Sequence, residues 1–296
     1  MNTASLSKLS KLTLRKLVGW CILLLGAGYG IQQLMLLMQH YDHVRYAFYA
    51  GMVAATATAF GALPALFSRG LSNRLHAAML GFGGGVMLAA SIFSLIVPAL
   101  DLFETTAQVS WYGPLQVAAA ILLGAFLMLL LERSVPHEHF IKGAEGHQAL
   151  ALKRSWLFVI AIILHNIPEG LAIGAAYAGG DSVAASALAT GIAIQDIPEG
   201  FVVAMALLAV GYSRLVAVSV GMLSGLVEPV MAVIGAIALT NAMVLPWGLA
   251  MAAGAMLFVI SHEMIPESHR QGHEMAATNG LMLGFVLMLV LDTALG

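Results

Sequence analysis

The sequence predicts an all-α, polytopic membrane helical bundle, and three observations carry that class. First, 60% of the 296 residues are hydrophobic and only 9% are charged, with a mean hydropathy of +0.91. A soluble domain carries about 25% charged residues, and only lipid tolerates so much outward-facing apolar surface. Second, apolar runs of about 20 residues, the length of a helix that crosses the hydrocarbon, recur along the whole chain. Third, the Lys and Arg residues segregate into alternate linkers, as membrane insertion demands. The 31 Gly, 17 Met and 12 Phe fit packed helices better than the alternating strands of a β-barrel. A net charge of −2 excludes a basic nucleic-acid binder, and the lone Cys21 excludes a disulfide framework or a Cys-based metal site.

Nine spans follow in order. The first, 17–38, is an apolar run behind Lys8, Lys11, Arg15 and Lys16. That pattern resembles a signal peptide, but the run is about 20 residues long and no A-x-A site follows, so a retained helix is expected. The second, 47–68, lies between Arg45 and Arg69, and the third, 76–100, between Arg74 and Asp101. The fourth, 113–133, ends at Arg133. A polar linker, 134–154, then carries His137, Glu138, His139, Lys142, Glu145 and His147. Spans 155–178, 184–209, 214–240, 246–265 and 276–295 complete the series, joined by short linkers. With the N-terminus in the cytoplasm, twelve of the thirteen basic residues lie inside and only Arg45 lies outside. The expected topology is therefore N-in and C-out.

In so apolar a chain the ionisable residues within the spans are the informative ones, because each costs several kcal/mol in hydrocarbon unless it is paired or hydrated. Two related hexapeptides recur thirty residues apart: His165-Asn166-Ile167-Pro168-Glu169-Gly170 and Gln195-Asp196-Ile197-Pro198-Glu199-Gly200. The next span adds Glu228-Pro229. At a rise of about 1.5 Å per residue, His165 lies roughly 15 Å into its span, near the bilayer midplane. His165 and Glu169 share a helix face at i and i+4, as do Gln195 and Glu199, while Asn166 and Asp196 lie about 100° round. Pro168 and Pro198 remove a backbone donor, so each motif is expected to kink its helix and free a carbonyl. Irregular backbone at this depth belongs beside a cavity or protein, as in transporter sites.

No Lys or Arg occupies any span centre, so Glu169, Asp196, Glu199 and Glu228 require another counter-charge. Protonation neutralises some of them and divalent cations neutralise all. Imidazole, carboxylate and amide together suit a borderline metal such as Zn²⁺ better than Ca²⁺ or Mg²⁺. Met87, in the third span, offers a thioether, although a Met at helical spacing more often packs. Asn166 and Gln195 taken alone would read as interhelical hydrogen-bond glue. At the outer edge, Asp101 and Asp292 fit either a cation entrance or ordinary helix-end solvation. Inside, His262, Glu263, His269 and His273, with the loop histidines His137, His139 and His147, fit either a cytoplasmic exit or plain soluble-loop chemistry. The pairs Gly81/Gly85, Gly170/Gly174 and Gly221/Gly225 permit close helix contact.

With HNIPEG, QDIPEG and Glu228-Pro229 in consecutive spans, and a His-bearing loop before them, the chain resembles the ZIP family of divalent-metal transporters. The closer resemblance is to its GufA-like prokaryotic branch. It covers 47–296 as an eight-helix transporter domain, leaving 1–46 as a cytoplasmic N-terminus and an additional transmembrane helix. It implies inverted repeats, an elevator-like motion and a binuclear centre. One site would comprise Met87, His165, Glu169, Gln195 and Glu199. The adjacent one would comprise Asn166, Asp196 and Glu228, with Glu169 and Glu199 bridging. Ser94 and Asp101 match the family's outer entrance. Gln195 replaces a histidine, and Glu169 an aspartate, that many eukaryotic members carry.

The reading is thus a Zn²⁺ importer of the bacterial inner membrane, with Cd²⁺, Fe²⁺ or Mn²⁺ as further cargo, the lipid bilayer as its setting and a homodimer implied by the family. No catalytic residue is assigned and the protein is not read as an enzyme. The rival, an intramembrane zinc-dependent hydrolase, lacks an HExxH motif, since His262-Glu263 is followed by Pro266 where the second His would stand. A metal sensor would need a cytosolic output domain, for which no segment is long enough.

Overall fold

The computed structural model describes residues 3–67, 72–104, 111–134, 147–241, 243–270 and 272–295. Side chains are described from residue 19 onward within those segments, apart from 21, 104, 134, 147–154, 157, 158, 161 and 295. Among the described residues the chain is helical throughout, with no strand. The elements are α1 (Thr3–His40), α2 (Asp42–Ala62), α3 (Asn73–Ala89), α4 (Val97–Glu104), α5 (Tyr112–Ser134) and α6 (His147–Ala178). They continue with α7 (Ser182–Ala209), α8 (Arg214–Ser224), α9 (Val227–Ala238), α10 (Leu245–Val259), α11 (Ile265–His269) and α12 (Glu274–Leu295). Eight stretches are long and apolar enough to cross a membrane, which makes this a multi-pass membrane protein. The remaining expected span, 155–178, lies within the 32-residue α6.

Local chemistry sets several helix starts. Ser72 Oγ accepts from Leu75 N–H at 3.2 Å, and Asp181 Oδ1 accepts from Val183 and Ala184 N–H at 3.0 and 3.1 Å. Ser213 Oγ does the same for Val216 N–H at 3.4 Å. Each supplies an acceptor that the first helical turn lacks. α6 starts at His147, so the last part of the expected 134–154 linker is helical. The segment Ala149-Leu150-Ala151-Leu152-Lys153-Arg154 consists of strong helix formers, and nothing in it stops the helix.

The helices sort into two groups by packing. α2, α6, α7, α8 and α9 pack mainly on one another, and α3, α5, α10 and α12 form the second group. Glycine sets the closest approaches within each. A Cβ on Gly61 or Gly200 would strike the backbone of Ile197 or Thr58, locking α2 on α7. Gly170 and Gly174 abut the backbone of α9, while Gly221 and Gly225 bring α8 and its C-terminal end against Gly200 and Thr58. In the second group, Gly81, Gly85, Gly280 and Gly284 mesh α3 with α12, and Gly124 and Gly254 mesh α5 with α10. Between the groups, glycines meet flexible side chains rather than backbone: Gly191 on α7 faces the Met288 thioether of α12, and Gly248 on α10 faces Leu239 after α9.

The backbone irregularities do not fall where the prolines stand. α6 and α7 run as continuous helices through Pro168 and Pro198. The span 214–240 breaks instead, at Gly225-Leu226 between α8 and α9, immediately before Glu228. Two further spans contain a π-helical turn, at Ala90–Ile96 and at Ile260–Met264. Such turns insert an extra residue and re-aim the side chains around them. α1 packs through Leu37 and Met38 near its C-terminal end, while Trp20 and Ile22–Leu25 are exposed to the surroundings.

Candidate metal centre

The two hexapeptides and Glu228 meet in the interior of the first helix group. His165, Asn166, Glu169, Gln195, Asp196, Glu199 and Glu228 are all buried, five of them to 1% exposure or less. Glu169, Asp196 and Glu199 each place a carboxylate oxygen within 4.8 Å of the other two. The i, i+4 register of each motif projects its carboxylate toward the facing helix, which is why residues thirty apart in sequence converge.

Amide side chains orient the carboxylates. Gln195 Nε2 donates to Glu169 Oε1. Asn166 Nδ2 donates to Glu228 Oε1 at 3.2 Å and to the Ser224 carbonyl at 3.1 Å. That carbonyl is available because α8 stops there. Thr58 Oγ1 on α2 lies within donating distance of Glu228 Oε1, at 3.3 Å, and of its own Ala54 carbonyl at 3.2 Å. Even so, Asn166 Oδ1, Glu169 Oε2, Gln195 Oε1, both Asp196 carboxylate oxygens, Glu199 Oε1 and Glu228 Oε2 have no hydrogen-bond partner. All are acceptors when the acids are ionised, and buried acceptors without donors are costly. A divalent cation would satisfy several of them at once, and four carboxylates, two amides and an imidazole are donors that suit such a metal.

His165 is contacted from the second helix group. Its Nε2 lies 2.8 Å from Glu263 Oε2, a side chain of the π-helical turn after α10. The contact therefore bridges the two helix groups. Next to Glu263, His262 stacks on Phe258 and its Nε2 lies 3.4 Å from Glu132 Oε1 at the end of α5. Glu263 is thus connected to the buried centre, whereas His262 pairs with Glu132 and is more than half exposed. His269 is engaged locally, by the Ile265 carbonyl at 2.9 Å, by Ser268 and by Thr278, and His273 is half-buried at the start of α12. His137 and His139 lie outside the described residues, and His147 opens α6 with its side chain also outside them.

Toward the opposite end, Ser94 in the first π-helical turn donates to Asp292 Oδ1 at 2.5 Å, while Asp101 on α4 is exposed and not part of that pair. Met87 is buried on α3 within the largest apolar cluster. Three participants gave no warning in sequence. Thr58 sits in an alanine-rich run where a hydroxyl ordinarily bonds its own helix. The Ser224 carbonyl becomes a partner only through the break at Gly225. Glu132 reads as a helix-end acid beside Arg133.

Comparison with known proteins gives the family. The family described as ZIP Zinc transporter matches residues 137–292, more than half of the chain. The zinc transporter ZIPB of Bordetella bronchiseptica is 52% identical over 255 residues, covering 86% of this chain and 82% of that protein. The zinc transporter GufA of Myxococcus xanthus is 47% identical over 248 residues, covering 83% and 98%. The human zinc transporter ZIP11 is 31% identical across 83% of this chain and 94% of its own length. The family match, the two bacterial relatives and the all-helical membrane fold agree: the chain belongs to the ZIP zinc transporter family, in its GufA-like prokaryotic branch.

Proposed function

We propose that this protein carries Zn²⁺ into the cytoplasm through a centre for two metal ions built from His165, Asn166, Glu169, Gln195, Asp196, Glu199 and Glu228, with Met87 as a further ligand. The observation that carries the reading is the set of buried carboxylate and amide acceptors without donors, gathered on three helices around one point. Zn²⁺ is the favoured cargo because imidazole joins the oxygen donors, and the same ligands accept Cd²⁺, Fe²⁺ and Mn²⁺ with an order that geometry must set. The relatives' printed names point to zinc as well.

The route runs from an outer entrance at Ser94, Asp101 and Asp292, through the buried centre, to an exit at His262 and Glu263, with His269, His273 and the loop histidines His137, His139 and His147 beyond. Inward direction is what the ZIP family implies, while the basic residues set the orientation, with the N-terminus inside and the chain in the bacterial inner membrane. Residues 47–296 form the transport domain, α1 is an addition to it, and two copies associate. The meshing of glycines with backbone inside each helix group, against flexible side-chain contacts between groups, supports movement of one group past the other as a unit.

The test is zinc entry into proteoliposomes that hold a fluorescent zinc indicator. Wild type is expected to fill the vesicles rapidly, whereas Glu169→Ala and His165→Ala abolish entry and remain folded. Tight stoichiometric binding by wild type without any flux would overturn the transporter reading.

A further inference from the structure

Outside the metal centre the structure contains a groove of about 490 Å³, open to the surroundings, where the N-terminal ends of α3 and α12 run side by side and meet α7. Its polarity is divided along its length. Ser72 and Arg74 line the end at the start of α3, Phe82 and Leu283 line the deeper part, and Asn279 lies between them at the level of Ala78 to Phe82. Pro198 closes the floor from α7. Ser72 to Phe82 spans ten residues, about 15 Å of helix, which is half of a hydrocarbon core about 30 Å thick. The groove therefore has the length of one leaflet, with its polar end at the helix starts where a headgroup would sit. Arg74 is exposed and forms no ion pair among the described residues, in contrast to Arg45 and Arg270, which pair with Asp42 and Glu267. A cation above an apolar trough complements one kind of molecule, an amphiphile with an anionic head and a hydrocarbon tail.

We propose that this groove is a binding site for one anionic phospholipid of the leaflet on the basic side of the protein. The phosphate lies against Arg74 and an acyl chain runs between α3 and α12 toward Pro198. The lipid would touch both helix groups, since α3 and α12 belong to one and Pro198 to the other.

Native mass spectrometry of the detergent-purified full chain, titrated with phosphatidylglycerol, tests the proposal. Wild type is expected to hold one phosphatidylglycerol more firmly than phosphatidylcholine. Arg74→Gln, an exposed change that leaves packing intact, is expected to weaken that adduct about fivefold, the effect of one basic side chain near a membrane surface. Ala78→Phe, which fills the trough and retains the charge, is expected to weaken it at least as much, and Arg214→Gln on another helix is expected to leave it unchanged. Equal loss with Arg74→Gln and Arg214→Gln would reveal a general charge attraction and overturn the site. So would equal retention of phosphatidylcholine, or displacement of the adduct by millimolar inorganic phosphate. Should Ala78→Phe fail to fold, the comparison of Arg74→Gln with Arg214→Gln decides alone.

Discussion

Glu228 illustrates how much of the centre depends on residues that are not ligands by type. Its Oε1 is held by Asn166 and faces the Thr58 hydroxyl, so one carboxylate oxygen is fixed and the other is free to bind. Thr58→Val removes the hydroxyl at nearly constant volume. Partners of metal ligands typically contribute 10–100-fold to affinity, so Thr58→Val is expected to weaken zinc binding about tenfold, read by competition titration of the purified protein. Unchanged affinity would show that the hydroxyl serves its own helix instead. Glu263 belongs to the same scale. Its carboxylate lies 2.8 Å from His165 Nε2, and if it belongs to the proposed exit, Glu263→Gln is expected to slow zinc appearance inside vesicles while the binding stoichiometry stays constant. Loss of binding itself would place Glu263 among the primary ligands.

At the scale of elements, the hexapeptides were legible in sequence and the irregular backbone was not. Regular i, i+4 spacing makes a helical motif readable, and α6 and α7 keep that regularity through Pro168 and Pro198. The break in the span 214–240 coincides with a tertiary contact that no local spacing announces: a Cβ at residue 225 would stand 2.8 Å from Thr58 Oγ1, where α2 lies against the end of α8. The tightest helix pairs yield a second expectation. Gly61→Ala places a methyl group into the Ile197 backbone and should push α2 from α7, costing about 1–3 kcal/mol, whereas Gly26→Ala on α1 meets nothing within 4 Å and should be neutral or slightly stabilising. Thermal unfolding in detergent, followed for both variants, separates the two cases.

For the whole molecule, the division into two helix groups has a direct mechanical consequence. A Gly191→Cys/Met288→Cys pair, built on a Cys21→Ser background, joins α7 to α12 across the boundary between the groups. Oxidising it is expected to stop zinc flux without reducing zinc binding, and reduction should restore the flux. A matched Gly83→Cys/Met264→Cys pair within one group is expected to leave flux unchanged if the groups move as units. Equal flux before and after oxidation of the first pair would mean that transport needs no relative movement there.

The sequence by itself determined the membrane class, the spans and the identity of the buried acids, because hydrocarbon makes every ionisable residue in a span conspicuous. It also contained the family, since HNIPEG, QDIPEG and Glu228-Pro229 are local strings. Only the tertiary structure decided which groups surround those acids. Thr58, the Ser224 carbonyl and Glu263 come from three other segments, and none carries a spacing that links it to the motifs. Contacts between distant segments depend on how helices are rotated and how closely glycine lets them approach, and that geometry is a property of the packed bundle rather than of any one span.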